Sequence, residues 1–559
     1  MIHGIMGGEL SSRGVVSAAV DKIWLNYVQL FLGRFNRLRL KEDGETEVDP
    51  HVTVSATGMI KKYYGEIMMS LQQQNWNVCQ FYFDWRKDIR VAGRQLAAKA
   101  AQQFGAEAKF HIVAHSMGGL VARWYIRENR PRWEAQQSRL IMLGTPNYGS
   151  FAVPQIITGL EGIVRKIATL DRHNDRRQVA AIANTFPGSL QMMPSPAKLP
   201  GIEALYDPAT WVAYAMIPKA FLDTAKQFHA DLADVHDDRM VYVAGYGQDT
   251  LANITDVARV GEESAYEHTR RGDGRVPWTL GFLPRGKVYY VFESHGSLPM
   301  NLVVQASLTE LLETGRTNRM TDQEPPVDIK RGAAAAQPSE EEMVAEEQME
   351  LEIIAMQTYP ERGGTRSAQQ ADEQASRAED LIVRGWIDNT IAPHGEAVLD
   401  SSGITIAEPE VPKIAIDVWH GSITEWTQSD VIAAGVYVGV RPEGATKLLD
   451  ATITEGYRAG SAAADERLIT QLLERGVIHG GLAQPFILQD PRDKERLIAI
   501  AGMGEPGRFG TPECMVLARE LMWTLGKLRR NHLGTVLIGS GVGNLATGDA
   551  VQAWLRGIR

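Results

Sequence analysis

The chain has 559 residues, 44% hydrophobic and 23% charged, which excludes a wholly disordered protein. Its net charge of −10 arises entirely within residues 321–380, where fifteen carboxylates accompany five basic residues. The neutral remainder excludes a protein that grips nucleic acid through a basic surface, and two cysteines, Cys79 and Cys514, exclude a disulfide framework.

Residues 1–8 lack the basic-then-apolar pattern of a signal peptide. No stretch reaches the ~18 apolar residues of a membrane span, so a cytoplasmic location is expected. The apolar run 78–83 predicts a strand and is followed by a helix pattern over 88–104. The run 110–114 predicts a second strand, with a helix over 117–129 that Pro131 should end. Further strands are expected at 140–143, 240–243 and 288–291. Strands alternating with helices imply a parallel sheet covered on both faces. Residues 151–235 show no strand pattern and carry Trp211, Tyr214, Met216, Ile217 and Phe221. They are expected to form a helical lid, touching acyl chains or a membrane surface. The acidic stretch 321–380 contains Pro325-Pro326 and a single aromatic, Tyr359, and reads as a linker. A capping box at Ser339 and Glu342 and a stripe of Met349, Ile353 and Met356 make part of it helical. Residues 381–559 repeat the α/β pattern. Strands are predicted at 413–416, 431–436, 497–500 and 535–538, and helices near 463–475, 511–529 and 548–556.

Chemistry concentrates in Val113-Ala114-His115-Ser116-Met117-Gly118-Gly119-Leu120. A serine flanked by small residues between a strand and a helix is the nucleophile-elbow pattern. Its tight turn needs small neighbours, and the following helix brings its positive end to developing negative charge. Chain order then calls for an acid and a histidine. Asp273, in Gly272-Asp273-Gly274-Arg275-Val276-Pro277, and His295, in Glu293-Ser294-His295-Gly296, occupy those places. Ser116 is therefore the expected nucleophile, His295 the general base and Asp273 the group that orients it. Asp249 is a rival for the acid, because it follows the 240–243 strand more directly. His115 should point away from the site. The amides of Met117 and Ile5, the latter in His3-Gly4-Ile5-Met6-Gly7, are the expected oxyanion donors. No metal-ligand spacing stands out, and no metal or cofactor is expected.

Six motifs carry a resemblance: His3-Gly4-Ile5-Met6-Gly7, Phe83-Asp84-Trp85-Arg86, the elbow, Leu143-Gly144-Thr145-Pro146-Asn147-Tyr148-Gly149-Ser150, the Asp273 loop and Ser294-His295-Gly296. In this order, over roughly residues 2–315, the chain resembles lecithin:cholesterol acyltransferase-like lipases. The resemblance implies an α/β-hydrolase domain (1–320) acting on acyl esters, often of lipids, with Ser116, Asp273 and His295 at the triad positions. Asp84 and Arg86 read as a structural ion pair. The region 411–545 resembles the N-terminal, non-catalytic domain of leucyl aminopeptidases, a macro-like fold. The stretches concerned are 431–437, 445–450 and 496–504. The loop 539–544, Gly539-Ser540-Gly541-Val542-Gly543-Asn544, joins strand to helix and offers amides to a phosphate. The expected fold class is thus α/β, a hydrolase with a lid plus a smaller macro-like domain. The expected function is acyl-ester, especially lipid-ester, hydrolysis through an acyl-enzyme, with water or an alcohol as acceptor. The alternative is a non-catalytic scaffold whose second domain binds a protein partner or a nucleotide.

Overall fold

A computed structural model describes residues 1–14, 20–24, 30, 33–105, 108–171, 173–327, 414–457, 467–482, 484–504, 506–507, 509–540 and 545–558. The expected linker helix with its Met349–Ile353–Met356 stripe, and residues 541–544 of the glycine-rich loop, lie outside these. The chain divides into two compact units, Met1–Met68 with Cys79–Ile391, and Met69–Val78 with Ala392–Arg559.

The first unit opens with an antiparallel sheet that the reading of the sequence did not anticipate. It consists of β1 (Gly8–Gly14), β2 (Val20–Trp24) and β3 (Val52–Met59), ordered β2-β1-β3. In β3, buried Val52 and Val54 alternate with exposed Thr53 and Ser55, the period-2 signature of a strand with one wet face. The central sheet is parallel, ordered β4 (Ile112–His115), β5 (Leu140–Leu143), β6 (Met240–Gly245) and β9 (Lys287–Val291). Every residue of β4, β5 and β6 is buried. Both faces are covered, so these strands read as unbroken apolar runs. An antiparallel arm, β7 (Thr250–Ile254) with β8 (Tyr266–Thr269), projects between β6 and β9 in sequence.

One expectation changes here. The run 78–83 is no strand: only Phe81 bridges Ile2, which in turn bridges Ala114, both in parallel. The helix expected over 117–129 does stop ahead of Pro131, at Glu128. The helix Met117–Glu128 gives way at Asn129 to a second helix, Arg130–Gln136, with Pro131 in its first turn. There the missing N–H costs nothing, because first-turn amides lack helical partners.

The expected helix over 88–104 spans Ile89–Phe104. Asp88 caps it, accepting from the Arg90 amide, and the Gln191 side chain accepts from the Ile89 amide. Arg86, fully buried, donates to Asp84 (2.6 Å) and Glu47 (3.0 Å), so this corner is an ion-paired packing element. Between β5 and β6 the described residues form helices and no strand. Within that insertion Trp211 and Ile217 are buried, whereas Val212, Tyr214 and Met216 are exposed.

Arg123, on the Met117–Glu128 helix, fastens this helix to the insertion. Fully buried, it donates to the carbonyls of Val235, Leu232 and Asn147 and to Asn147 Oδ1. Burial pushes it down to about 10, and four oxygen acceptors stand in for its lost water.

The second unit is a four-stranded sheet in the order β11 (Pro485–Asp490), β12 (Asp493–Gly502), β10 (Val431–Val436), β13 (Leu533–Thr535). β10 runs parallel to β12 and β13, and β11 is antiparallel to β12. Val431, Ala433, Leu497 and Ala499 pack on the helices Thr511–Lys527 and Thr547–Ile558. Ile432, Ala434, Ile498 and Ile500 face the helices Gly444–Tyr457 and Leu468–Glu474. Residues 414–416 form no strand, and the last strand lies at Leu533–Thr535 rather than 535–538. Ile414 and Ile416 are exposed, so their alternation marks a surface segment rather than a core strand.

Candidate active site

Ser116 sits where β4 meets the Met117–Glu128 helix, at φ 53 and ψ −127. That conformation is strained for a residue with a side chain. It is held by the Ser116 amide donating to the Leu143 carbonyl at 2.9 Å. A Cβ on Gly119 would run into the Thr145 side chain, so the helix can approach β5 only with glycine there.

His295 lies just after β9, at the start of a short 3₁₀ turn. Its Nδ1–H donates to Asp273 Oδ2 at 2.8 Å, and its backbone amide donates to the Asp273 carbonyl, also at 2.8 Å. A carboxylate only accepts, so Nδ1 carries the proton and Nε2 keeps its lone pair. Asp273 is buried, and its Oδ1 accepts from the amides of Arg275 (3.0 Å) and Val276 (2.8 Å). Gly144 has φ +58, and a Cβ there would fall 2.7 Å from Asp273 Oδ2 and 3.0 Å from His295 Nδ1. Asp249, the rival acid, pairs instead with His268 at 3.0 Å on the β7–β8 arm. Ser116 and His295 line one cavity without a hydrogen bond between them. Such bonds often tighten only when substrate binds.

On the other side of Ser116, residues 4–7 form a turn closed by the Gly7 amide on the Gly4 carbonyl. Met6 takes φ 58 there, and Trp24 Nε1–H holds its carbonyl at 2.9 Å. Ile5 lines the cavity, and Met117 is the buried first residue of the elbow helix. His115, expected to point away, lines the cavity too, its ring 4.9 Å from that of His295. Its Nε2 faces the His295 carbonyl at 2.9 Å and must donate, which leaves Nδ1 to accept from the Tyr64 hydroxyl at 2.9 Å. Tyr64 Oη in turn accepts from the Gly4 amide at 3.0 Å. Burial and the neighbouring His295 push His115 well below its usual value, so it is neutral.

The cavity measures about 60 Å³. Its walls include Ile5, Pro146, Ala152, Val153, Ile156 and Val276, together with an ion pair between Glu161 and Arg275. Among the described residues, no group of three or more His, Cys, Asp or Glu side chains is placed to hold a metal.

The sequence model of lecithin:cholesterol acyltransferase matches residues 20–303, just over half of the chain. The chain belongs to the lecithin:cholesterol acyltransferase family. No curated protein matches it. Membership in the lecithin:cholesterol acyltransferase family implies an α/β-hydrolase fold and acyl-ester chemistry on lipids, and the parallel sheet with flanking helices agrees in class. The match takes in Ser116, Asp273 and His295 and ends before residues 392–559, the larger part of the second unit.

Tyr64 and Glu161 were not anticipated by any motif. Tyr64 carries no signal beyond an aromatic pair on the helix Lys61–Gln73. Glu161 stands in an otherwise apolar stretch, where a lone carboxylate before a helix reads as a cap. It is one, accepting from the Ile163 amide at 2.7 Å, and it meets Arg275 as well.

His3 has its own acid–base consequence in this lecithin:cholesterol acyltransferase relative. Its Nδ1 donates to the Gly4 carbonyl at 2.6 Å, and its Nε2 accepts from the Phe83 amide at 3.2 Å. A second ring proton would face another donor. Burial pushes His3 down to about 4 from the ordinary 6.5, and His229 likewise to about 4. The unfolded chain therefore binds more protons than the folded one between pH 6.5 and 4, and stability falls as pH drops through that window. The expected loss is about 2 kcal/mol per histidine by pH 5. Urea unfolding at pH 7 and pH 5 checks this, and an unchanged midpoint contradicts it.

Proposed function

We propose that this protein is a serine ester hydrolase that works through an acyl-enzyme. Ser116 Oγ attacks the acyl carbonyl while its proton passes to His295 Nε2. The tetrahedral oxyanion is held by the amides of Ile5 and Met117. The C–O bond to the alcohol then breaks, and the imidazolium returns the proton to the leaving oxygen. Asp273 stabilises the imidazolium and keeps Nδ1 protonated. A water activated by the same Nε2 attacks the acyl carbon and restores Ser116; an alcohol in its place gives acyl transfer. The observation that carries this reading is the 2.8 Å Asp273–His295 hydrogen bond beside a cavity shared with the elbow serine. Lipid esters are the substrate class that family membership favours.

The insertion at 151–235 serves as the lid. Ala152, Val153, Ile156, Glu161 and Met192 from it line the cavity. The exposed Val212, Tyr214 and Met216 suit transient contact with a membrane surface. No helix among the described residues is long and apolar enough to cross a membrane. Two free cysteines suit a cytoplasmic setting. The second unit is read as a macro-like module that docks a protein partner.

Labelling with a fluorophosphonate tests the proposal, since only an activated serine reacts quickly. Wild-type protein should label at Ser116, and Ser116→Ala should neither label nor hydrolyse 4-nitrophenyl esters. Absence of labelling in the folded wild type favours the scaffold reading instead.

A further inference from the structure

The turn at residues 4–7 lies directly against the elbow serine. A Cβ on Gly4 would fall 2.7 Å from Ser116 Cβ and 3.3 Å from Ser116 Oγ. Only glycine fits there, and any shift of the turn is a shift relative to the nucleophile. The Gly4–Ile5 peptide is fixed at its oxygen, which accepts from His3 Nδ1–H at 2.6 Å and from the Gly7 amide at 3.1 Å. In a trans peptide the N–H points opposite to the C=O. The Ile5 N–H is therefore turned away from His3 and Gly7, and Ile5 lines the cavity.

Glycine at position 4 has a drawback, because a residue without a side chain leaves its own backbone torsions loose. Holding the Gly4 N–H as well removes that freedom, and Tyr64 Oη accepts from it at 3.0 Å. The phenol is itself anchored. It is 1% exposed, and it donates to His115 Nδ1 at 2.9 Å, which leaves its lone pairs to face the turn. A Cβ on Gly7 would fall 2.6 Å from Tyr64 Oη, so the hydroxyl sits against both ends of the turn. Burial raises the pKa of the phenol, and it keeps its proton.

We propose that Tyr64 is a positioning residue for acyl transfer, its hydroxyl fixing the Gly4–Ile5 peptide so that the Ile5 N–H meets the oxyanion as it forms. The inference rests on the reading of Ser116 as the nucleophile and of the Ile5 amide as an oxyanion donor. A donor that is misaimed rather than absent loses part of the 10²–10³-fold that such a group supplies.

Tyr64→Phe deletes the hydroxyl and keeps the ring. With 4-nitrophenyl butyrate and the full chain, it should lower kcat by roughly ten- to a hundredfold and leave KM close to wild type. That split marks an interaction made only in the transition state. An alkyl trifluoromethyl ketone, which adds to serine as a tetrahedral oxyanion, should lose affinity by the same factor as kcat/KM. A merely structural lesion would instead reduce the fraction of protein that a fluorophosphonate finally labels, and that fraction should stay at the wild-type level. A folded Tyr64→Phe protein whose kcat falls less than about tenfold overturns the proposal. So does a fall in kcat/KM with the ketone bound as tightly as before. Should Tyr64→Phe fail to fold, Gly7→Ala decides by the same measurements, since its Cβ pushes the hydroxyl off Gly4. Failure of the underlying reading looks different: wild type then cleaves no ester in a Ser116-dependent way.

Discussion

Asp273→Asn should slow ester hydrolysis roughly 10⁴-fold while leaving the protein folded. The reason lies in the two backbone amides of Arg275 and Val276 that Asp273 Oδ1 accepts. An asparagine there keeps its carbonyl oxygen towards those donors, so its NH₂ turns to His295 Nδ1. The imidazole must then accept at Nδ1 and carry its proton on Nε2, the tautomer that cannot take a proton from Ser116. Steady-state rates on 4-nitrophenyl butyrate, with circular dichroism to check the fold, measure this. A loss below tenfold would show that Asp273 does not set the tautomer.

Arg123→Leu should have the largest effect on stability, about 3–5 kcal/mol. Four oxygen acceptors lose their donor at once, on Asn147, Leu232 and Val235. Leucine removes the cost of burying a charge but gives those oxygens nothing in return. Arg123→Lys keeps the charge yet cannot fork to four acceptors, so its loss should be intermediate. Urea denaturation compares the three proteins. A leucine variant within 1 kcal/mol of wild type would mean that the carbonyls find other partners.

The core strands were legible because a parallel sheet covered on both faces demands unbroken apolar runs, as in Leu140–Leu143. Val431–Val436 matched for the same reason. The run 78–83 had the same composition but failed as a strand. Its one β-bridge among the described residues is Phe81 to Ile2, and a run's composition carries no information about how long its neighbour is. β3 was missed although Val52 and Val54 alternate with Thr53 and Ser55. Its pattern is that of a half-wet antiparallel strand, set apart from the helix alternation that dominates the chain.

At the site, Ser116, Asp273 and His295 were readable because each stands in a motif whose backbone does local work. The Asp273 loop, for instance, turns two amides onto its own carboxylate. Tyr64 and His115 were not. Their roles come from hydrogen bonds across 51 to 180 positions of sequence, and no spacing rule encodes a partner that far away. His115 faces the site because its Nε2 finds the carbonyl of His295, which sequence position alone did not suggest.

The string running from the Gly4 amide through Tyr64 and His115 to the His295 carbonyl has every proton spoken for. The turn at residues 4–7 and His295, the proposed oxyanion donor and base, are therefore yoked, and displacement of either pulls on the other through two side chains. Any redesign that reshapes residues 4–7 for a bulkier ester has to re-seat the helix bearing Tyr64 as well, or else detune the histidine it was meant to leave alone.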